Sequence, residues 1–274
     1  MTNQAVATTG PKAISKADQK ALAAMYADTG MEARAGEGQE GATQDDYAMP
    51  FLSLLQSGSP QCKKTDPRRI EGAEEGMFFN TVEKTVYSGE NGVRFIACAY
   101  RRSFVEWKLR ESGGGFCGEF LPGTEPPTVA DEKNRDILEN GNELKDTRYY
   151  YGFVVNDDGS TDAAVIGMTR TQLKPSKAWF NMLAKNLWPD GVQRSKAPPF
   201  YVWSYRLKTV PQQKDDHSFW NFDVQRDEPV MDAAVIEACK NLHDSVKAGS
   251  VREATETVAD TEASESNSSG SSNY

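Results

Sequence analysis

The chain has 274 residues, of which 38% are hydrophobic and 26% are charged, and its formal net charge is −9. That length supports one substantial hydrophobic core or two small ones. No run of about 18 apolar residues exists, which argues against a membrane-spanning helix, and the first residues lack the basic-then-apolar pattern of an export signal. The four cysteines are scattered without a C-x-x-C pair, so reduced thiols in the cytoplasm are expected.

The negative charge is concentrated at the two ends of the sequence. Residues 1–49 hold four Lys/Arg against seven Asp/Glu, and residues 230–274 hold three against eight, whereas residues 50–229 hold 24 against 25. A nearly neutral body can still carry a basic groove, because the local field depends on how charges are distributed over the surface. The net charge therefore does not exclude a polyanionic partner.

The composition divides the chain into three parts. Residues 1–48 are expected to be a flexible segment, with one short helix from Ala17 to Ala27 that Ser15 caps. Residues 49–247 are expected to form a single domain. Residues 248–274 are rich in Ser, Thr, Glu, Ala, Asn and Gly, cannot form a core, and are predicted to be a disordered acidic tail.

The stretch from Val93 to Phe120 is predicted to form two strands and a glycine loop. Its first part is rich in β-branched and aromatic residues, and Phe104 to Leu109 alternates with period two. Arg101 and Arg102 lie between the two runs. Two arginines beside a tryptophan and a flexible loop suggest a surface for single-stranded nucleic acid. The alternative is an ordinary hairpin with a solvated pair of arginines.

Further elements follow along the chain. Strand–turn–strand patterns predict hairpins at residues 148–168 and 200–227, and apolar spacing predicts helices at residues 171–188 and 231–246, the second of which should cover the body. The insertion from Leu121 to Leu144 is interpreted as a long loop with one short helix between Asp131 and Glu143. The domain is therefore expected to be mostly β with a few helices.

A proline-rich loop after residue 56 carries four closely spaced cations that could clamp phosphates: Lys63, Lys64, Arg68 and Arg69. The alternative interpretation is an exposed loop whose cations are neutralised by the glutamates that follow at residues 71, 74 and 75. The sequence does not decide between the two.

Motifs of catalysis and metal binding are absent. The sequence has no Walker A motif, no G-x-G-x-x-G before a helix and no G-x-S-x-G. Cys239 and His243 are four residues apart on a predicted helix, but two ligands do not make a metal site. Asp157, Asp158 and Asp162 could bind Mg²⁺, yet they lie in an evident turn. We therefore expect neither an enzyme nor a cofactor nor a metal.

The chain resembles the single-stranded DNA-binding proteins of tailed bacteriophages. The resemblance lies in its layout and in the segments MPFLSLLQSGSPQ, EGAEEGMFFNTV, RFIACAYRRSFVEW, RESGGG and AAVIGMTRTQLKPSKAW. It implies an OB-fold-like antiparallel barrel with a helix between strands, in the cytoplasm of an infected bacterium. It also implies an acidic tail that competes with DNA and recruits replication or recombination proteins, through Glu253, Glu256, Asp260, Glu262, Glu265 and Tyr274. The tail departs from the family pattern, because SNSSGSSNY separates its last acid from Tyr274.

The sequence-level hypothesis is a sequence-tolerant single-stranded DNA-binding protein that supports phage DNA replication or recombination. The expected DNA contacts are Arg101, Arg102, Trp107, Lys108, Tyr150, Arg206 and Lys208, with the cations at positions 63, 64, 68 and 69 as an auxiliary clamp. The hypothesis requires that the arginines are not neutralised and that the tryptophans are accessible. The alternative is a phage protein-interaction module that docks on a replication or transcription enzyme without catalysis. Homo-oligomerisation is left open.

Overall fold

A computed structural model describes residues 15–34, 37–38, 48–214 and 217–253. These residues fall into two compact units, one before residue 47 and one from residue 48 onward. The helices are α1 Lys16–Thr29, α2 Leu173–Leu183 and α3 Ala233–Lys247. The strands are β1 Ala48–Met49, β2 Leu52–Leu54, β3 Phe78–Asn80, β4 Val86–Tyr87, β5 Val93–Trp107, β6 Phe116–Phe120, β7 Val129–Ala130, β8 Asp136–Ile137, β9 Glu143–Val155, β10 Thr161–Thr169, β11 Trp203–Lys214, β12 His217–Pro229 and β13 Arg252–Glu253.

The first unit contains helix α1, which agrees with the helix predicted from the sequence. The Ser15 side chain accepts a hydrogen bond from the backbone N–H of Asp18, and Gly30 ends the helix in the left-handed conformation. Both caps pair backbone groups that the helix itself leaves without partners. The helix boundaries are thus set by local sequence.

The second unit is a mostly β, OB-like half-barrel. Its long strands follow one another as β5, β9 and β10, then helix α2, then β11 and β12. Strand β5 pairs with β9 and β11, β9 pairs with β10, and β11 pairs with β12, all antiparallel. A five-stranded, partly open Greek-key barrel is the architecture of the OB fold. The fold class predicted from the sequence is therefore confirmed.

Strand β5 is one continuous strand of 15 residues, whereas the sequence predicted two strands. Its pairing with β9 shifts register between Ala97 and Ala99, so Cys98 is an extra, bulged residue. Phe95 and Ala97 point into the barrel core before the bulge, and Tyr100 packs against the same core after it. A bulge moves the inward-facing positions from odd to even numbers. We call the core side of the sheet the inner face and the opposite side the outer face.

A small sheet of β2, β3 and β4 packs where the half-barrel is open, between β10 and β12. The backbone N–H of Val165 donates to the carbonyl of Pro50 at 2.9 Å. The Gln56 side chain donates to the carbonyl of Trp220 and accepts from its N–H, at 2.9 and 2.8 Å. Strands β10 and β12, which form the two edges of the open barrel, are thus partly paired. Phe78 of the small sheet adds its ring to the core.

Helix α3 covers the outer face of β5 and β9, as its apolar spacing predicted. Cys239 and Leu242 pack on Ile96 and Cys98, and His243 Nδ1 lies 3.1 Å from the Cys98 carbonyl. None of the helices in the described ranges is long and apolar enough to cross a membrane.

The structure bears on two sequence expectations in this unit. The first residues of the predicted tail, as far as Glu253, belong to the folded unit, because β13 pairs in parallel with β1 and Val251 packs against the cluster that contains Trp107 and Tyr151. The segment between Asp131 and Glu143 forms the short strand β8 within a β7–β8 hairpin instead of a helix. There the Asp131 carboxylate accepts from the N–H groups of Lys133 and Arg135, which stabilises a turn.

Candidate nucleic-acid interface

Arg101 and Arg102 lie on opposite faces of β5, since successive strand residues point to opposite sides. On the outer face, Arg101 Nη2 lies 3.2 Å from Glu119 and 2.8 Å from Glu253. Its guanidinium lies over the rings of Tyr149 and Tyr151, at 5.2 and 5.7 Å from their centroids. Burial alone would lower the pKa of Arg101, but Tyr151, Glu253 and Glu119 outweigh it and the pKa is raised. Arg101 therefore stays protonated, and its positive charge is balanced by these two carboxylates.

Arg102 lies on the inner face and is paired with one carboxylate. Its Nε and Nη2 atoms donate to the two oxygens of Asp146, each at 2.9 Å. This hydrogen bonding raises the pKa of Arg102. The Arg102 side chain nevertheless remains 40% exposed, so it can still reach a ligand.

Two predicted stacking residues are buried in the interior. Tyr150 is fully buried, stacks on Trp179 with ring centroids 4.1 Å apart, and donates its hydroxyl hydrogen to the Ser176 carbonyl at 2.8 Å. Trp107 is 5% exposed and packs edge-on against Phe116. Rings held in this way cannot stack on a base, so we remove both from the candidate contacts. Aromatic residues on strands are chiefly core residues here.

The other predicted cations are distributed over the surface. Arg206 lies 3.1 Å from Asp227, which also pairs with Arg94, and Lys208 is half-buried opposite Asp223 on β12. Arg206 pairs in register with Arg94, seven residues and so about 23 Å along β5 from Arg101. Lys108 is exposed just beyond the end of β5. The structure therefore does not gather the predicted cations into one groove.

The loop cations at positions 63, 64, 68 and 69 are all exposed. Asp66 lies 3.3 Å from the Nε atom of Arg68, and hydrogen bonds from Arg68 lower the pKa of Asp66. Glu74 and Glu75 instead lie near Cys62. Burial raises the pKa of the Cys62 thiol, and the two carboxylates raise it further. The glutamates at 74 and 75 thus sit beside a thiol, and this loop stays a candidate phosphate contact.

A row of partly buried rings that the sequence analysis did not select lies on the inner face. We call it the aromatic strip: Phe200, Phe180, Tyr100, Phe104 and Phe120. The ring centroids of Phe200 and Phe180 are 6.0 Å apart, and those of Phe180 and Tyr100 are 4.7 Å apart. Tyr100 and Phe104 lie on the same face of β5, and Phe104 is directly opposite Phe120 of β6.

The aromatic strip is only partly buried because strand β11 does not pair with β5 beyond Phe95. Strand β11 pairs only with Val93 to Phe95, so the inner face beyond the bulge loses that neighbour. The alternation of Tyr100, Arg102, Phe104 and Glu106 was the signal in the sequence. It could not be assigned to a face, because the position of the bulge was unknown.

Arginines are interleaved with these rings. The Arg102 guanidinium lies over Phe104, 5.0 Å from the ring centroid. Arg148 is directly opposite Arg102 in register and lies 3.7 Å from the shared Asp146 carboxylate. Burial raises the pKa of Tyr100, and the nearby Arg148 and Arg102 work against that shift. The strip thus combines stackable rings with two cations and one carboxylate.

The predicted tail contacts are only partly described. Glu253 is engaged within the chain, because it pairs with Arg101 and accepts a hydrogen bond from the Tyr151 hydroxyl. Its assignment as a residue free to bind a partner is therefore corrected. The other five positions, 256, 260, 262, 265 and 274, lie outside the described residues.

The contacts of Asp158 and Asp162 support a structural role for these residues in the β9–β10 turn. The Asp158 carboxylate accepts from the N–H and hydroxyl of Ser160, and Asp162 accepts from Asn156. Within the described ranges, no group of three or more His, Cys, Asp or Glu side chains is placed to hold a metal ion.

Comparison with protein families gives one match of wide coverage. The family model described as Pam3 phage gp34-like protein matches residues 17–252, which is well over half of the chain. Comparison with curated proteins gives no match, and comparison with solved structures gives none either.

Proposed function

We propose a single-stranded DNA-binding function for this chain, which belongs to the Pam3 phage gp34-like protein family. The protein is thus phage-associated. In the proposed function it binds DNA with little sequence preference, catalyses no reaction on it, and serves phage replication or recombination in the cytoplasm of the infected cell. The requirement set from the sequence is not met, because Arg101 and Arg102 are paired with carboxylates and Trp107 is buried. The proposal therefore rests on a different set of residues, the aromatic strip on the OB-like half-barrel.

The chemistry of the strip suits an unpaired strand. Every base has a π-face, so stacking on rings is tolerant of sequence and contributes about 1–3 kcal/mol per base. Arg102 lies among the rings with its side chain 40% exposed, so its guanidinium group can pair with a phosphate, whereas the Arg148 side chain beside it is only 11% exposed. Lys177 is exposed one helical turn before Phe180 and adds a third cation near the other end of the strip.

The dimensions of the strip set a site size. Strand rise and cross-strand spacing give it a length of about 30 Å, which corresponds to about four to six nucleotides, at the short end for one OB fold. With about two phosphate contacts, from Arg102 and Lys177, a plot of log affinity against log salt concentration should have a slope of about −1.4. The loop cations at positions 63 to 69 would steepen that slope if they also contact DNA.

The test is an anisotropy titration of fluorescein-labelled oligo-dT with the full chain at low salt. Phe104→Leu and Phe120→Leu should each weaken binding about tenfold, because each removes one stacked base. The matched control is Phe116→Leu, which removes an exposed ring from the same strand β6 but on the outer face, beside Trp107. That control should bind as the unmodified chain does.

Two results would contradict this function. One is an absence of oligo-dT binding by the unmodified chain at low salt. The other is equal affinity of the Phe104→Leu, Phe120→Leu and Phe116→Leu variants. Duplex DNA of the same length serves as a competitor and should compete poorly, since its bases are not free to stack. The recruiting and competing roles of the acidic tail belong to the same proposal.

Docking on another protein is the second candidate function. Three apolar side chains in and after β6 favour it, since Phe116, Leu121 and Val129 are 46%, 63% and 76% exposed. Exposed apolar side chains can mark interaction sites when they form a contiguous patch. A partner captured from phage-infected cells equally well before and after nuclease treatment, and lost with Leu121→Ser, would support this function instead.

A further inference from the structure

The aromatic strip ends in a recess that combines rings with a carboxylate. Glu106 follows Phe104 by two residues on β5, so both side chains lie on the inner face. Across β6, Glu106 is opposite Gly118 and Phe104 is opposite Phe120. A Cβ atom placed on Gly118 would meet no atom within 4 Å. The space beside Glu106 and next to the Phe120 ring is therefore open.

The Glu106 carboxylate is held in one orientation. Its Oε1 atom accepts hydrogen bonds from the side-chain amides of Asn140, at 2.8 Å, and Asn142. A carboxylate offers about four lone-pair sites on its two oxygens, and these two amides use the sites on one oxygen. The remaining acceptor sites can face a group in the open recess.

We propose that this recess is a base-recognition subsite that takes guanine. A base stacked on Phe104 or Phe120 would bring its Watson–Crick edge toward Glu106. Guanine offers two adjacent N–H donors on that edge, N1–H and the N2 amino group, and both can converge on Glu106 Oε2, the oxygen that the two amides leave free. Thymine, adenine and cytosine each offer one donor group on that edge, next to one or two acceptors that a carboxylate repels.

The proposal rests on the single-stranded DNA-binding function and adds one selective position to it. Edge recognition of unstacked bases is how proteins read single strands. Two other carboxylates of the described residues lie near the strip, and both interact with Arg102: Asp146 is bound to it by two hydrogen bonds, and Glu125 helps to raise its pKa. Selectivity should therefore be confined to one nucleotide of the bound segment.

The experiment compares labelled dT oligonucleotides that carry one central dG, dI, dA or dT, titrated against the full chain. Inosine differs from guanosine only by the missing N2 amino group. The dG oligonucleotide should bind about tenfold more tightly than the dI oligonucleotide, the size expected for one hydrogen bond to a charged group. Glu106→Gln should abolish that difference between dG and dI.

The matched control is Glu119→Gln, which removes a carboxylate from the residue after Gly118, on the outer face beside Arg101. It should keep the preference for dG. Equal binding of dG and dI by the unmodified chain, or a preference that survives Glu106→Gln, would overturn the subsite while the DNA-binding function stands. If no oligonucleotide binds at all, both the function and the subsite are wrong. Thermal unfolding of each variant checks that the fold is retained.

Discussion

Glu253 and Arg101 join strand β13 to the centre of the sheet. The Glu253 Oε1 atom lies 2.8 Å from Arg101 Nη2, although the two residues are 152 positions apart. The same oxygen accepts the hydroxyl hydrogen of Tyr151, and burial together with Glu253 raises the pKa of that tyrosine. The first acid of the predicted tail is therefore part of the folded unit, and the outer-face arginine is not available to a polyanion.

Glu253→Gln should lower the free energy of unfolding by about 1 kcal/mol. The two side chains are 34% and 20% exposed, so solvent screening reduces the value of the pair below that of a buried one. The measurement is urea unfolding of the full chain. Glu237→Gln is the control, because its pair with Lys240 is at least half exposed on both sides, and its change should stay within about 0.5 kcal/mol. Equal effects of the two substitutions would contradict a structural role for Glu253.

Gly152→Ala should destabilise the protein by at least about 3 kcal/mol. A Cβ atom there would lie 2.0 Å from the Ile96 carbonyl oxygen and 2.7 Å from the Phe95 ring. The first obstacle is backbone of the paired strand, which cannot move without breaking the sheet beside the Cys98 bulge. Thermal unfolding followed by circular dichroism measures the effect.

Gly118→Ala is the matched control for that experiment, because Gly118 also lies in a strand but has open space around it. Its unfolding temperature should change little. A Gly152→Ala protein as stable as Gly118→Ala would show that β5 and β9 are not packed as described.

Tyr150→Phe should cost about 1–3 kcal/mol of stability without changing oligo-dT affinity. The Tyr150 hydroxyl lies 2.8 Å from both the carbonyl and the Oγ atom of Ser176, in a fully buried position. Its removal leaves buried polar atoms without a partner. Combining Tyr150→Phe with Ser176→Ala in a double-mutant cycle should give a coupling energy different from zero. A large loss of affinity at unchanged stability would instead restore Tyr150 as a DNA contact.

The thiols should differ sharply in reactivity at pH 8. Cys117 is exposed, whereas burial, with Glu75 and Glu74, raises the pKa of Cys62 from 9.0 to about 11. Since the thiolate is the reactive form, that shift lowers the reactive fraction of Cys62 about a hundredfold. Ellman's reagent should therefore show one fast thiol, and the rate of Cys62 should rise as the pH approaches 11. Cys98 and Cys239 are buried and should react only after unfolding.

Cys117→Ser should remove the fast phase and leave the slow one. A fast phase that persists in this variant would mean that Cys62 is more accessible than the structure shows. The same measurement in the presence of oligo-dT provides a further check, because Cys117 lies on β6 between Phe116 and Gly118.

Local pattern was enough for several elements of the fold. The Ser15 cap located α1, the NDDGS turn located the β9–β10 hairpin, and the apolar spacing after Met231 located α3. These features depend on neighbours in sequence, through capping, turn geometry and helical periodicity. The mostly β fold class followed from the number and spacing of such elements.

What the sequence determined by itself was the alternation of two sets of side chains along each strand. The tertiary structure alone decided which set is buried. The Cys98 bulge shifts the inward positions by one residue, α3 and Glu253 cover the outer face, and β11 leaves β5 beyond Phe95. As a result Trp107 and Tyr150 became core residues, while Phe104 and Phe120 became the accessible rings. Burial depends on contacts between residues far apart in the chain, and a single bulged residue reverses it for the rest of the strand.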